Sequence, residues 1–146
     1  RFRGSEIIEK EMIASQERID KLEEEMKKKG SSIQQRAEEN FIKGFRDYQK
    51  GQYLRAKEYF RIVLDLKSDH IEARKYYEQS AIKLRKMMDF NYIEGLKSKD
   101  KKNYRMCVSF FSQVLVLAQG DRNSYEKYDE AEKFLKECKL GTERRF

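Results

Sequence analysis

Apolar residues in this chain recur every three or four positions and almost nowhere in strict alternation. Between residues 4 and 29 they fall at Ile8, Met12, Ile19, Leu22 and Met26, with Ser15 filling the missing place in the series. Steps alternating between four and three make a heptad seam on a helix that packs against another helix. Lys27, Lys28 and Lys29 suit the end of such a helix, and Gly30 can close it. Two uses of the seam stay open: packing on the rest of the chain, or a short coiled coil joining two copies through residues 1–30.

The same reading predicts five further helices. Ser31 or Ser32 caps a helix reaching about Lys50, Gly51 breaks it, and another covers about 52–67. Ser68 and Asp69 cap the next. Its apolar phase runs unbroken through Tyr77, Ala81, Leu84, Met88, Tyr92 and Leu96. One long helix over about 70–98 is therefore favoured over two, with a bend near 89–91 left open. Helices at about 102–118 and 123–140 come next, and Gly141 opens a tail over 141–146. The division expected is a seam helix at 1–30, a repeat domain at 31–140 and that tail. With no proline and few glycines, the fold class is all-α.

The chain repeats itself. Residues 40–69 laid over 91–120, an offset of 51, give nine ungapped identities in 30 positions. About two are expected at ordinary residue usage. Asn40/Asn91, Ile42/Ile93, Gly44/Gly95, Tyr53/Tyr104, Phe60/Phe111, Val63/Val114 and Leu64/Leu115 are among them, and Phe41/Tyr92, Phe45/Leu96 and Ala56/Cys107 keep their character. A repeat of this length denotes a supersecondary unit, here a helical hairpin. A glycine inside a helix costs about 1 kcal/mol against alanine, so Gly44 and Gly95 imply close packing.

Gly44, Gly51, Tyr53, Ala56, Phe60, Val63 and Leu64, with Gly95, Tyr104, Cys107, Phe111, Val114 and Leu115, resemble the tetratricopeptide repeat. Three departures stand beside the likeness. Asn40 and Lys43 replace the early Trp/Leu pair, the closing proline is absent, and Lys102 replaces the second turn glycine. The period also exceeds the family's about 34 residues. The resemblance implies antiparallel hairpins stacked as an α-solenoid, with a groove that holds a peptide or helix of a protein partner. Carried over position by position, Phe41, Phe45, Tyr48, Tyr92, Leu96 and Lys99 would line it. The other reading of these aromatics is that they pack against the N-terminal helix or fill the core. Gly44, Tyr53, Ala56, Phe60, Gly95, Tyr104, Cys107 and Phe111 would be structural.

Charge adds a second candidate surface. The chain carries a formal net charge of +7. Lys83, Arg85, Lys86, Lys97, Lys99, Lys101, Lys102 and Arg105 face only Asp89, Glu94 and Asp100 between residues 83 and 105. Such a stretch can meet anionic lipid or nucleic acid. No nucleic-acid motif accompanies it, and nucleic acid is not the expected partner. No apolar run reaches the ~20 residues of a membrane span. The chain begins at Arg1, so membrane association is expected only through an unseen upstream segment, and a cytoplasmic setting is expected.

Catalytic chemistry finds little support. His70 is the only histidine and sits in a polar helix start. No metal-ligand spacing and no glycine-rich phosphate loop exist, so no enzyme, metal or cofactor is expected. Cys107 and Cys138 are too few for a disulfide framework. Cys107 is expected to fill a small buried site and Cys138 to be partly exposed.

Overall fold

Helix boundaries follow local chemistry. The computed structural model describes residues 3–28 and 32–144. The helices are α1 (Arg3–Lys28), α2 (Ile33–Gln49), α3 (Tyr53–Leu66), α4 (Ile71–Asp100), α5 (Tyr104–Leu117) and α6 (Tyr128–Glu143). A 3-10 turn at Arg122–Ser124 precedes α6. Among the described residues there is no strand, and no helix is long and apolar enough to cross a membrane.

Ser32 caps α2 by accepting the Gln35 N–H at 3.1 Å. Asn103 caps α5 by accepting from Met106. The expected caps of α4, Ser68 and Asp69, are displaced by His70, whose Nδ1 accepts the Ala73 N–H at 3.0 Å. α4 is one continuous helix of 30 residues, as its unbroken apolar phase predicts. Gly30 lies outside the described residues. Gly141 does not end the last helix, which continues to Glu143. The Tyr104 ring lies where a Cβ on Gly141 would be, 2.6 Å from Cδ1, so this glycine makes room for α5. The last helix also starts later than expected, because 122–124 form the separate 3-10 turn.

Contacts gather the chain into two units, residues 1–78 and 79–146, with the boundary inside α4. Unit 1 holds α1, α2, α3 and the first turns of α4. Its core joins Ile19, Phe41, Ile42, Phe45, Phe60 and Tyr76. Unit 2 holds the rest of α4, α5 and α6.

In each unit the two helices of the hairpin close on a glycine. A Cβ on Gly44 would lie 2.8 Å from Phe60 Cε1, and one on Gly95 would lie 2.8 Å from Phe111 Cε1 and Cζ. Both rings are fully buried, so neither has room to retreat. The turns after them need a left-handed residue. Gly51 supplies it at φ +79° in unit 1, and Lys102 takes the same role at φ +59° in unit 2.

Cys107 on α5 and Cys138 on α6 are joined as a disulfide, with Cα atoms 6.1 Å apart. Cys138 is fully buried rather than partly exposed, because this face of α6 lies on α5.

Gly44→Ala and Gly95→Ala are each expected to destabilise by about 1–2 kcal/mol, since overpacking outweighs the gain in helix propensity. A lower denaturant midpoint at unchanged m-value is the signature. Cys107→Ala is expected to cost about 3.5–4 kcal/mol, the scale for a crosslink over a loop of this length. Mass spectrometry after alkylation, with and without reduction, should show two thiols only in the reduced sample.

Candidate interaction surface

Three of the four aromatic residues expected to line a groove are instead interior. Phe41 and Phe45 are fully buried. Tyr76 of α4 packs on this face, with its ring 5.2 Å from Phe45, 5.1 Å from Tyr48 and 6.0 Å from Phe60. Tyr48 is half-buried, and that burial, with Tyr53, Tyr76 and Glu11 nearby, pushes its hydroxyl above the ordinary value. In unit 2 the equivalent face is closed by α6. Phe134 lies 5.6 Å from Phe111 and 6.5 Å from Tyr92. Tyr92 is buried, Leu96 is half-buried, and Lys99 lies 5.0 Å above the Phe134 ring and 3.4 Å from Glu137. The physical reason is the long period. Its extra residues form a third helix in each unit, which covers the face a two-helix repeat would leave open.

α1 closes unit 1 from another side. Along its heptad seam Ile19 is fully buried, Met12, Ser15 and Leu22 are half-buried, and Ile8 is exposed. Ser15 and Tyr76 share a hydrogen bond of 2.7 Å. Ion pairs join Lys75 to Glu11, Arg18 to Glu72 and Arg46 to Glu23. The seam thus serves packing within the chain, which leaves less of it for a coiled coil between copies. The Met26 side chain lies outside the described residues.

His70 sits beside Glu38 at a polar cleft of about 540 Å³ lined also by Ser15, Arg18 and Lys67. Its Nε2 is 3.3 Å from Glu38 Oε1 while Nδ1 accepts from Ala73. Both ring nitrogens are engaged, so the pair fastens α4 to α2. Among the described residues no group of three or more His, Cys, Asp or Glu side chains is placed to hold a metal.

The basic residues differ in their surroundings. Arg85 pairs with Glu126, while Lys101, Lys102 and Arg105 are exposed around the turn between α4 and α5. Lys86 and Lys97 are exposed on a different feature, an apolar stripe along α4. Ile82, Phe90 and Ile93 are 47 %, 59 % and 48 % exposed. With Lys86 and Lys97 they step along the helix by four, four, three and four, so they share one helical face. Lys83 is half-buried at its margin.

No family model, curated protein or solved structure matches this chain.

The stripe was legible as a second apolar phase in α4, offset from the Leu84–Met88–Tyr92 series that forms the core. Its exposure was not, because one series hides the other until the buried side is known. The remaining polar contacts of unit 2 hold α4 to the 3-10 turn region and α6. Tyr92 donates to Glu130 at 2.6 Å, and Tyr125 donates to Asp89 at 2.5 Å. Burial first, then these hydrogen bonds, raise both tyrosine hydroxyls above their ordinary value of 10.0, Tyr92 to about 12.

A raised tyrosine value means that the folded state holds the proton more tightly. The stabilisation from Tyr92 is complete below pH 10 and is lost as pH climbs from 10.0 toward about 12. Tyr92→Phe is therefore expected to flatten the fall in stability across that window and to change its pH slope little below it. Denaturant titrations at several alkaline pH values would show this, and an unchanged slope within the window would refute it.

Proposed function

We propose that this chain is a helical-repeat interaction module, of the tetratricopeptide type in its hairpins, that binds another protein through the exposed face of α4. The 51-residue repeat and the glycine-on-ring contacts of both hairpins support the family reading. The third helix of each unit moves the binding face away from Phe41, Phe45 and Tyr92. One observation carries the functional reading: three large apolar side chains lie open to solvent in a single stripe beside Lys86 and Lys97. Isolated surface hydrophobics need no explanation, but apolar side chains gathered with lysines on one helical face mark an interaction site.

In this reading the module carries out no chemistry. It offers a rigid helix face, with apolar contact for affinity and lysines for orientation. The buried Cys107–Cys138 disulfide is of a kind that persists in an oxidising compartment, which weighs against the cytoplasmic setting expected from the sequence.

The test is affinity capture from extract of the source cell, at low and high salt. The intact chain runs beside an Ile82→Ser/Phe90→Ser/Ile93→Ser variant shown by circular dichroism to stay helical. A partner that survives high salt and is lost in the variant is the expected result. A partner released by salt yet retained by the variant would move function to the lysines and overturn the reading.

A further inference from the structure

The two units contain the same α-helical face in two states, one largely covered and one open. Under the 51-residue offset, Gln35, Glu39, Ile42 and Arg46 of α2 correspond to Lys86, Phe90, Ile93 and Lys97 of α4. In unit 1 α1 reaches this face at Arg46. Ile42 is 4 % exposed and shares a buried cluster with Ile19, Gln35 and Glu39 are half-buried, and Glu23 pairs with Arg46 at 2.8 Å. In unit 2 every counterpart is exposed. Lys97 finds only Glu94 of its own helix, at 3.8 Å.

From this equivalence we infer that the open face of α4 is the docking site for an acidic amphipathic helix of a partner protein, bound as α1 binds α2. The inference rests on the interaction reading above and names the partner's form. An aliphatic residue of the partner covers Ile93, as Ile19 belongs to the cluster of Ile42. A carboxylate four residues later meets Lys97, as Glu23 meets Arg46. Two differences between the faces set the specificity. Phe90 stands where α2 has Glu39, so an apolar residue of the partner there tightens binding. Lys86 stands where α2 has Gln35, so an acidic residue is favoured opposite it.

Geometry favours a helix over an extended peptide. The stripe from Ile82 to Lys97 rises about 22 Å along α4, the length of four turns laid alongside. Spacings of three and four along it match the anchors of a helix, whereas the alternate side chains of a strand would miss them. Charge points the same way. Asp89 beside the stripe is taken by Tyr125 and Glu94 is drawn to Lys97, which leaves Lys86 and Lys83 without an acidic partner among the described ion pairs. α1 itself has this chemistry, with eight acidic against six basic residues over 3–28.

The probe is therefore a fluorescent peptide with the sequence of residues 3–28, titrated into the intact chain. Saturable binding is expected. Ile93→Asp in the chain should abolish it, and Lys97→Glu should weaken it about five- to tenfold. Glu23→Lys in the peptide should restore most of the loss against Lys97→Glu, a charge-swap cycle that a merely sticky surface would not reproduce. Binding that is lost on Arg46→Glu but not on Lys97→Glu would mean that the peptide replaces α1 on α2, and would overturn the inference. So would binding indifferent to both swaps.

A second measurement separates failure of the inference from failure of the interaction reading. Phe90 is replaced by benzoylphenylalanine and the chain is photolysed in extract of the source cell. A joined segment that is an acidic amphipathic helix supports the inference. A joined segment that is extended or basic, or one from a second copy of this chain outside α1, overturns it while leaving protein binding by the stripe intact. No joined protein at all overturns both.

Discussion

A phenyl ring seated on a glycine governs the geometry of both units. Phe60 and Phe111 occupy the volume that a Cβ on Gly44 or Gly95 would take, so the ring of one helix packs directly on the backbone of the other. The ring's other contacts then become available for stacking. Phe41 lies 5.7 Å from Phe60, and Tyr92 lies 5.8 Å from Phe111. Tyr76 and Phe134 complete the cluster from the third helix. Without the glycine the ring would be driven outward, and the platform that receives the third helix would go with it.

Each third helix is held by a polar contact from the same position on the first. Glu38 reaches His70 at the start of α4, and its counterpart Asp89 accepts from Tyr125 ahead of α6. An acid on the first helix thus fixes the segment leading into the third in both units. The donors differ, an imidazole in one and a phenol in the other, and so do the turns beside them. The constraint is kept while the chemistry that meets it changes. Both acids lie on the side of the helix next to the aromatic cluster, so the polar contact closes the rim of an apolar core.

This explains which parts of the fold the sequence made legible. The glycines, the long helix and the identical register of the hairpins all come from local spacing or from the repeat. The fate of the aromatic face does not. An apolar phase says that Phe41, Phe45 and Tyr92 are covered without saying by what, and a two-helix family template leaves that role to a ligand. The covering rings gave no warning either. Tyr76 and Phe134 lie 58 residues apart, two helical turns out of the 51-residue register, so the repeat does not align them. Cys107 and Cys138 were hidden for a similar reason, since their meeting depends on how α6 lies on α5. Gly141 looked like a helix stop because its real reason, the Tyr104 ring, sits on another helix.

The units also solve one stability problem in different ways. Three short helices bury little apolar surface for the entropy they fix, and domains of this size usually need an added source of stability. Unit 1 has α1, which contributes Ile19 to the core and several ion pairs, and it carries alanine at position 56. Unit 2 has no fourth helix among the described residues, and the residue equivalent to Ala56 is Cys107, crosslinked to α6. A covalent tie within the unit removes the need for a packed helix outside it. It also leaves Ile82, Phe90 and Ile93 uncovered, a row of apolar side chains that confers no stability while it faces water. The disulfide and the open stripe thus occur in the same unit: α5 is crosslinked to α6 there, and the row of apolar side chains on α4 faces water.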